Sequence, residues 1–416
     1  MGKFFSDTVE SALNDIYYQM WTGRGQEVFH NLEAASAAGD GDASALLARC
    51  YCGDQYVWDG LHFPEDDDKA TELLCLSVKQ GSALGALICL RTGDMTPELE
   101  SEMPFGSLQE AFNVVLAKAE AGEPFCQYVI GNSYFWWDFM RIQDKTPDDF
   151  PDHDSLRDYL RENITKCEDW FWKAFKNGVF YGGNNLIRYY NNGDEDIVTP
   201  QPEKAADIDR IGAEYGYPNY QLDYALDFQR EKKYEEALVW LNKAFENGEM
   251  RACYSLGLNY ELGRGVEKNP VRAAEYYAMG LDNNSDSPLC RNRLGSLYYD
   301  GVGVQQDYEK AYKLLKWAYD DSKSTWGLYM LAECCAYGRG TEQDYAMARS
   351  YLDELDWESK YVNYLRGCLY ARGLGGPEDI AKGVAYLQKA GDLPEAKEEL
   401  KNYKKTFFGG KWVRRK

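Results

Sequence analysis

The chain has 416 residues, of which 44% are hydrophobic and 27% are charged, a composition typical of folded globular proteins rather than disordered ones. Its 46 Lys and Arg stand against 68 Asp and Glu, which gives a net charge of −22. This charge argues against binding to nucleic acid or to anionic membrane surfaces, and is compatible with a basic protein partner. No apolar run reaches the length of a membrane-spanning helix.

Composition also bears on compartment and chemistry. The first residues lack the apolar segment of a secretion signal, and the eleven Cys occur without a CxxC pair, so we expect a cytoplasmic protein with reduced, buried thiols. Three His, at positions 30, 62 and 153, lie far apart. Phosphate-binding loops, nucleophile elbows and zinc-protease motifs are missing from the sequence. We therefore expect no enzymatic activity, no catalytic residue, no cofactor and no metal site.

The N-terminal half predicts helices in pairs. Residues 1–39 are expected to form a helical hairpin that caps the chain. Residues 40–249 carry a degenerate repeat, a Gly followed at four-residue steps by a small and an apolar residue, as in Gly122, Cys126 and Ile130. An acidic insertion containing Pro, residues 138–155, interrupts this region.

Residues 250–391 repeat a clearer pattern four times: a helix, a Gly-x-Gly turn and a second helix that begins at Asn or Asp. The turn glycines recur at spacings of 38, 37 and 35 residues. Gly257, Gly295 and Gly367 lie inside the first helices, where Gly costs about 0.5–1 kcal/mol relative to Ala. Their recurrence at one position predicts that the second helix packs too closely for a side chain.

This pattern, LG-x-LYxxG-x-G followed by D-x-x-KA, resembles the Sel-one-like repeat (SLR) family, a relative of the tetratricopeptide repeat. The four units of residues 250–391 carry it, with departures at Ala332, Arg366 and Gly383. The resemblance implies a right-handed α/α superhelix whose members mostly act as adaptors or scaffolds for protein complexes. It implies no enzymatic activity.

The last segment, residues 392–416, predicts a closing helix and a basic aromatic tail. Pro394 is placed to begin the helix, and Lys401, Lys404 and Lys405 would lie in its last turns. Seven basic residues and no acid lie in the final 16 residues. We expect Phe407, Phe408 and Trp412 to fold back over the last repeat; a partner-binding role and a disordered tail are the alternatives.

Together these segments predict an all-α fold, a right-handed solenoid of about nine helix pairs. By analogy with tetratricopeptide repeats, one side of each first helix should line a concave groove. Some of its tyrosines would instead pack between repeats. The predicted groove residues are Phe125, Tyr128, Asn132, Phe135, Trp136, Tyr181, Asn184, Arg188, Asn191, Asn192, Arg251, Tyr254, Glu261, Asn292, Tyr299, Trp326, Tyr329, Glu333, Tyr337, Tyr361, Tyr364 and Arg372.

Two hypotheses of function follow. The first is a non-enzymatic scaffold or adaptor that holds a partner protein or peptide, possibly a basic one, in the groove. The second is an inhibitor or immunity-type protein that neutralises a basic toxin or nuclease through its acidic surface, with the insertion 138–155 as a contact. The sequence makes no prediction of oligomeric state.

Overall fold

The computed structural model describes residues 3–19, 23–53, 57, 61–194, 197–282, 287–355, 357–407 and 410–415. The chain forms two compact units. Unit 1 comprises residues 1–232 and 239–249, and unit 2 comprises residues 233–238 and 250–416. Each unit is a stack of antiparallel helices, and the all-α solenoid prediction is confirmed.

Unit 1 begins with α1, which continues into a π-helical turn at Asn14–Tyr18. Helix α2 follows, so two helices lie in the segment where the sequence predicted an N-terminal hairpin. The helices of unit 1 are α1 (Asp7–Leu13), α2 (Gly25–Ala37), α3 (Gly41–Tyr51), α4 (Asp67–Lys79), α5 (Ala83–Thr92), α6 (Pro97–Ser101), α7 (Leu108–Glu120), α8 (Pro124–Phe135), α9 (Asp138–Ile142), α10 (His153–Ile164), α11 (Lys166–Lys176), α12 (Tyr181–Asn192), α13 (Pro202–Glu214) and α14 (Pro218–Arg230). Helix α15 (Tyr234–Glu246) is divided between the units: its residues up to 238 belong to unit 2 and those from 239 belong to unit 1.

The acidic insertion is more ordered than its composition predicts. It contains α9, a short 3-10 turn at Pro147–Asp149 and the beginning of α10. The rings of Phe139 and Phe150 lie 5.7 and 4.9 Å from that of Tyr159 in α10, which gives the insertion a small aromatic core. Its carboxylates remain at the surface except for that of Asp138, which is largely buried beside Arg91.

Unit 2 contains the four well-matched repeats, each with a first and a second helix. These helices are α16 (Ala252–Leu262) and α17 (Pro270–Asp282), α18 (Pro288–Asp300) and α19 (Tyr308–Ser322), α20 (Leu328–Tyr337) and α21 (Tyr345–Asp353), and α22 (Lys360–Arg372) and α23 (Ile380–Lys389). A 3-10 turn at Thr325–Gly327 precedes α20. The closing helix α24 (Pro394–Leu400) follows.

The glycines inside the first helices are required by close packing, as predicted. A Cβ atom on Gly257 would lie 2.5 Å from the ring of Tyr277 in the second helix. The same atom on Gly295 would lie 2.8 Å from the side chain of Leu315. Real Cβ atoms do not approach other atoms so closely, so each helix pair closes only because this position has no side chain.

The Gly-x-Gly turns fix one repeat against the previous one. Both glycines of each turn have positive φ, for example 69° at Gly263 and 67° at Gly265. A Cβ on the second turn glycine would collide with the backbone at the start of the preceding second helix; for Gly340 this is the carbonyl of Tyr308. The Asn or Asp that follows each turn caps the next helix, as Asp307 does by accepting a hydrogen bond from the Lys310 N–H at 3.0 Å.

The C-terminal segment differs from the expected aromatic clasp. After α24 the chain forms an antiparallel hairpin of two strands, β1 (Tyr403–Lys405) and β2 (Trp412–Arg414). Tyr403 is buried and Trp412 packs against the last repeat, but Phe407 is 95% exposed because it lies in the turn between the strands. The expectation that Phe407 folds back is therefore wrong, and Phe408 lies outside the described residues.

Two further sequence expectations concern cysteines and membranes. All eleven Cys lie in the described ranges; none of them forms a disulfide there, and nine are buried. Burial raises the pKa of the Cys290 and Cys368 thiols to about 11, which keeps them protonated. Among the described residues, no helix combines the length and apolar character needed to cross a membrane.

Candidate partner-binding surfaces

Part of the predicted groove is interior. The structure buries seven of the predicted residues, so they offer no side chain to a partner, and these predictions are corrected. The cause is that neighbouring helices cover them: the ring of Phe125, for example, lies 4.5 Å from that of Tyr17 in the π-helical turn. The buried residues are Phe125, Tyr128, Asn132, Phe135, Tyr181, Asn292 and Tyr299.

The other predicted residues are exposed or partly exposed. In unit 2 they lie on successive first helices or on the 3-10 turn before α20, and we call them, with Arg293 and Arg339, the first-helix face. In unit 1 they lie on α12 and at the end of α8. The unit 2 residues are Arg251, Tyr254, Glu261, Trp326, Tyr329, Glu333, Tyr337, Tyr361, Tyr364 and Arg372; those of unit 1 are Trp136, Asn184, Arg188, Asn191 and Asn192.

Glu261 links two neighbouring first helices of unit 2. Its carboxylate accepts a hydrogen bond from the Tyr277 hydroxyl at 2.7 Å and lies 3.4 Å from the Arg293 guanidinium of α18. Arg293 in turn lies 4.9 Å from the ring centroid of Trp326. Burial and the carboxylate together raise the pKa of Tyr277, so the hydroxyl stays protonated and continues to donate.

Glu333 makes the corresponding link between α18 and α20. It accepts a hydrogen bond from the Tyr299 hydroxyl at 2.6 Å. The Arg339 guanidinium lies 3.5 Å from the same hydroxyl and 5.0 Å from the ring centroid of Tyr337. Burial, reinforced by Glu333, raises the pKa of both Tyr299 and Tyr329.

Glu399 of the closing helix continues this arrangement at the end of the unit. It accepts two hydrogen bonds from Arg372 of α22, one of them at 2.9 Å, and one from the Tyr403 hydroxyl at 2.9 Å. Although burial opposes it, these bonds hold the pKa of Glu399 below its usual range. Each of the three carboxylates thus lies near an arginine. Together with Glu399, the first-helix face carries four Arg and three Glu, a net charge of +1, so it is close to neutral.

Three aromatic side chains of this face project into solvent. Trp326 is 42% exposed, Tyr337 46% and Tyr361 51%. Trp326 and Tyr337 lie at the two ends of the first-helix segment of the third repeat of unit 2, and Tyr361 lies on the first helix of the fourth. The Arg293 and Arg339 guanidinium groups lie over the rings of Trp326 and Tyr337 and hold them in place. Trp and Tyr are among the residue types that contribute most of the binding energy in protein–protein interfaces, and here stacked arginines fix two of the rings.

Unit 1 brings together two predicted residues from different repeats. Trp136, 39% exposed, lies with its ring centroid 5.0 Å from the Arg188 guanidinium of α12. The two residues line a cavity of about 440 Å³, which we call the Trp136 pocket. Its other lining residues are Phe135, Trp137, Asn192, Gly193 and Asp194.

Several residues of these surfaces were missed by the sequence reading. Arg293 lies one residue after a predicted groove position, and Arg339 lies between two turn glycines, where a structural role was expected. Trp137 and Asp194 fall just outside the helices to which the groove template was applied. A search for Arg and Trp within two residues of the template positions would have found Arg293, Arg339 and Trp137, but not Asp194.

No set of three or more His, Cys, Asp or Glu side chains is arranged to hold a metal ion within the described ranges. The expectation that the protein uses no metal or cofactor stays an expectation.

Comparison with protein families gives matches to the Sel1 repeat in six segments. Four of them cover the four well-matched repeats of unit 2. Of the other two, one covers α3 and α4, and one covers the second half of α14 and all of α15. The segments are residues 42–82, 224–249, 251–285, 288–321, 327–354 and 361–394.

Two curated relatives match parts of the chain. An uncharacterized Sel1-like repeat-containing protein of Schizosaccharomyces pombe is 31% identical over 186 residues, covering 42% of this chain and 27% of the relative. A component of an ERAD-associated E3 ubiquitin-protein ligase of Arabidopsis thaliana, HRD3B, is 33% identical over 130 residues, covering 29% of this chain and 18% of the relative. The chain thus spans about a quarter or less of these relatives.

Among solved structures, a Sel1 repeat protein from Oxalobacter formigenes is similar with a TM-score of 0.44 and 22% identity, over 79% of this chain and 90% of that one. A protective antigen of uropathogenic Escherichia coli strains with an SLR fold has a TM-score of 0.44 and 17% identity, over 90% of this chain and 89% of that one.

Proposed function

Because the chain belongs to the Sel1-like repeat proteins, we propose that it is a non-enzymatic scaffold that holds a segment of a partner protein on the first-helix face of unit 2. Sel1 repeat proteins are generally scaffolds for protein–protein interaction. The observation that carries the proposal is the set of exposed rings, Trp326, Tyr337 and Tyr361, on the first-helix segments of the third and fourth repeats of unit 2.

The arrangement of charges indicates what kind of contact this face makes. Glu261, Glu333 and Glu399 already bond to tyrosine hydroxyls and lie beside arginines. Through Arg293 and Arg339, these groups keep the rings of Trp326 and Tyr337 in place and do not serve as binding charges for a partner. A partner would be held by apolar contact with the rings and by hydrogen bonds, so the affinity should depend weakly on salt.

The relatives support a role in assembly. HRD3B is by its description a component of a ubiquitin ligase, that is, part of a multi-protein complex. The present chain covers only 18% of that protein, so its own partner is to be found by experiment.

The test is a selection of displayed random peptides on the purified protein, followed by anisotropy measurements with the enriched peptides. We expect these peptides to bind the wild type and to lose at least about tenfold in affinity for a Trp326→Ala, Tyr337→Ala, Tyr361→Ala variant, since single hot-spot residues contribute that much. Circular dichroism establishes that the variant is folded.

A matched control changes three exposed apolar residues that lie off the first helices. Val271 of α17, Met347 of α21 and Trp357 before α22 are 53%, 40% and 40% exposed. Their triple alanine variant should bind the selected peptides as the wild type does. Peptides that bind the aromatic variant and the wild type equally well would contradict the proposal.

The second hypothesis, neutralisation of a basic toxin or nuclease, stays a prediction. Neither the first-helix face, which is close to neutral, nor the descriptions of the relatives favours it. Its argument is the overall acidic charge alone.

A further inference from the structure

The negative charge of the protein is confined to one of its units. Unit 1 contains 20 Lys and Arg against 43 Asp and Glu, a net charge of −23. Unit 2 contains 26 against 25, a net charge of +1. A need for solubility does not explain this division, because it would apply to both units and unit 2 is close to neutral. The excess of carboxylates in unit 1 creates a field that attracts cations to this unit.

Unit 1 also contains the Trp136 pocket, which is walled by aromatic side chains. Phe135, Trp136 and Trp137 provide its apolar walls. Trp137 has a φ of 67°, in the left-handed region that an L-residue other than Gly, Asn or Asp seldom adopts. Its indole N–H donates to the Asp194 carboxylate at 3.0 Å, so the ring is fixed in this strained position. Strain of this kind collects at functional sites.

The charges around the pocket indicate which side chain would enter it. Arg188 and Arg91 both lie 5.0 Å from the ring centroid of Trp136. Arg91 is paired with Asp138 at 2.8 Å, whereas Arg188 has no carboxylate within salt-bridge distance among the described residues. A third cation placed against Trp136 would be repelled by Arg188. An aromatic ring meets no such penalty, since it stacks on both indole rings and on guanidinium planes.

The insertion that follows Trp137 in the chain is acidic. Trp137 directly precedes α9, and Arg161 of α10 donates to the Ile197 carbonyl at 3.0 Å, close in sequence to Asp194. The exposed carboxylates of Asp144 and Asp148 follow Trp137 within the insertion and have no basic partner within salt-bridge distance in the described part of the chain. Basic residues beside an entering ring would find their counter-charges here.

We propose that the Trp136 pocket of unit 1 binds an aromatic side chain of a partner protein in a segment where Lys or Arg residues flank that aromatic residue. The site is separate from the first-helix face of unit 2, so this proposal goes beyond the proposed function and either can fail without the other. Charge brings the segment to unit 1 and the pocket selects the ring. Binding at this site therefore weakens with added salt, in contrast to binding at unit 2.

The experiment uses three labelled peptides and the full-length protein. The first peptide is Lys-Lys-Gly-Phe-Gly-Lys-Lys, the second replaces its Phe by Ala, and the third replaces its four Lys by Glu. Fluorescence anisotropy gives the dissociation constants at about 50 mM and about 300 mM salt, on either side of the range in which surface charges become screened. We expect the Phe peptide to bind about tenfold or more tightly than the Ala peptide, since burial of an aromatic side chain contributes at least that factor.

Two variants connect this preference to the pocket. Trp136→Ala removes a wall, and Asn192→Trp fills the cavity from an exposed lining position without removing a buried contact. Both should bind the Phe and Ala peptides equally. Trp357→Ala, which removes an equally exposed tryptophan that lies outside both proposed binding surfaces, is the matched control and should keep the preference.

Three results would overturn the proposal. The first is equal binding of the Phe and Ala peptides by the wild type, which would mean that charge alone attracts them. The second is a preference for Phe that survives in the folded Asn192→Trp variant. The third is binding of the Glu peptide as tight as that of the Lys peptide.

Discussion

Replacing Gly257 by Ala tests whether the close packing of the helix pairs depends on the missing side chain. A Cβ at this position would lie 2.5 Å from Cε1 of Tyr277. That ring is fully buried, and its hydroxyl is held by Glu261 at 2.7 Å. The ring therefore cannot withdraw without losing a hydrogen bond to a charged acceptor, so the two helices must separate instead.

The expected change in the free energy of unfolding combines two opposing effects. Overpacking a tight core costs about 1–3 kcal/mol. Replacing Gly by Ala inside a helix returns about 1 kcal/mol. Because this contact is far shorter than that of an ordinary added methylene, and the ring is anchored, we expect a net loss of about 2 kcal/mol.

Urea unfolding followed by circular dichroism measures this loss. The informative control is the same substitution in a Tyr277→Ala background, where the colliding ring is absent. There Gly257→Ala should stabilise the protein by about 0.5–1 kcal/mol, since only the helix propensity remains. A Gly257→Ala variant as stable as the wild type, or the same effect in both backgrounds, would refute the packing explanation.

Three further predictions concern pH and the C-terminal end. Burial raises the pKa of Asp138 to about 7, against the opposing effect of Arg91, so the folded state holds this proton more tightly than the unfolded state does. The stability that protonated Asp138 contributes is complete below about pH 4 and is lost as the pH rises through about 7. The melting temperature should therefore vary less across this pH range in Asp138→Asn than in the wild type. The same dependence of melting temperature on pH in both proteins would contradict the assignment. Glu399→Ala should cost about 1–2 kcal/mol, discounted because its arginine partner is half exposed, and equal urea midpoints for variant and wild type would refute this. Trp412→Ala should lower the melting temperature by several degrees, because Trp412 packs on the last repeat. Phe407→Ala should leave the melting temperature unchanged, because this side chain is 95% exposed. Equal effects of the two substitutions would show that the hairpin turn is not exposed in solution.

The repeat period predicted the helices of unit 2 because each helix pair makes mostly local contacts. The positions of Gly257 and Asp307 follow from packing within one pair and from the cap of one helix, so one repeat contains the information for both. Burial in the predicted groove did not follow in the same way. Tyr299 is buried against Cys334 of the next repeat, and Glu333 of that repeat accepts a hydrogen bond from its hydroxyl. A template applied to one repeat cannot include its neighbour.

The C-terminal hairpin shows a different limit. Two strands of three residues each carry too short a pattern to distinguish from coil, and the lysines near Tyr403 suited the end of a helix equally well. The Trp136 pocket escaped prediction for a related reason. It depends on the left-handed backbone of Trp137, which propensity does not predict for tryptophan.

The contact of the second turn glycine has a consequence for how such proteins change over evolutionary time. Gly303, Gly340 and Gly375 each rest against backbone at the beginning of the preceding second helix, at Pro270, Tyr308 and Tyr345 respectively. The junction between repeats is thus largely independent of which side chains the neighbours carry. A whole repeat is therefore a unit that can be duplicated or lost while its neighbours keep their register, and the residues exposed on the first helices are free to diverge toward new partners.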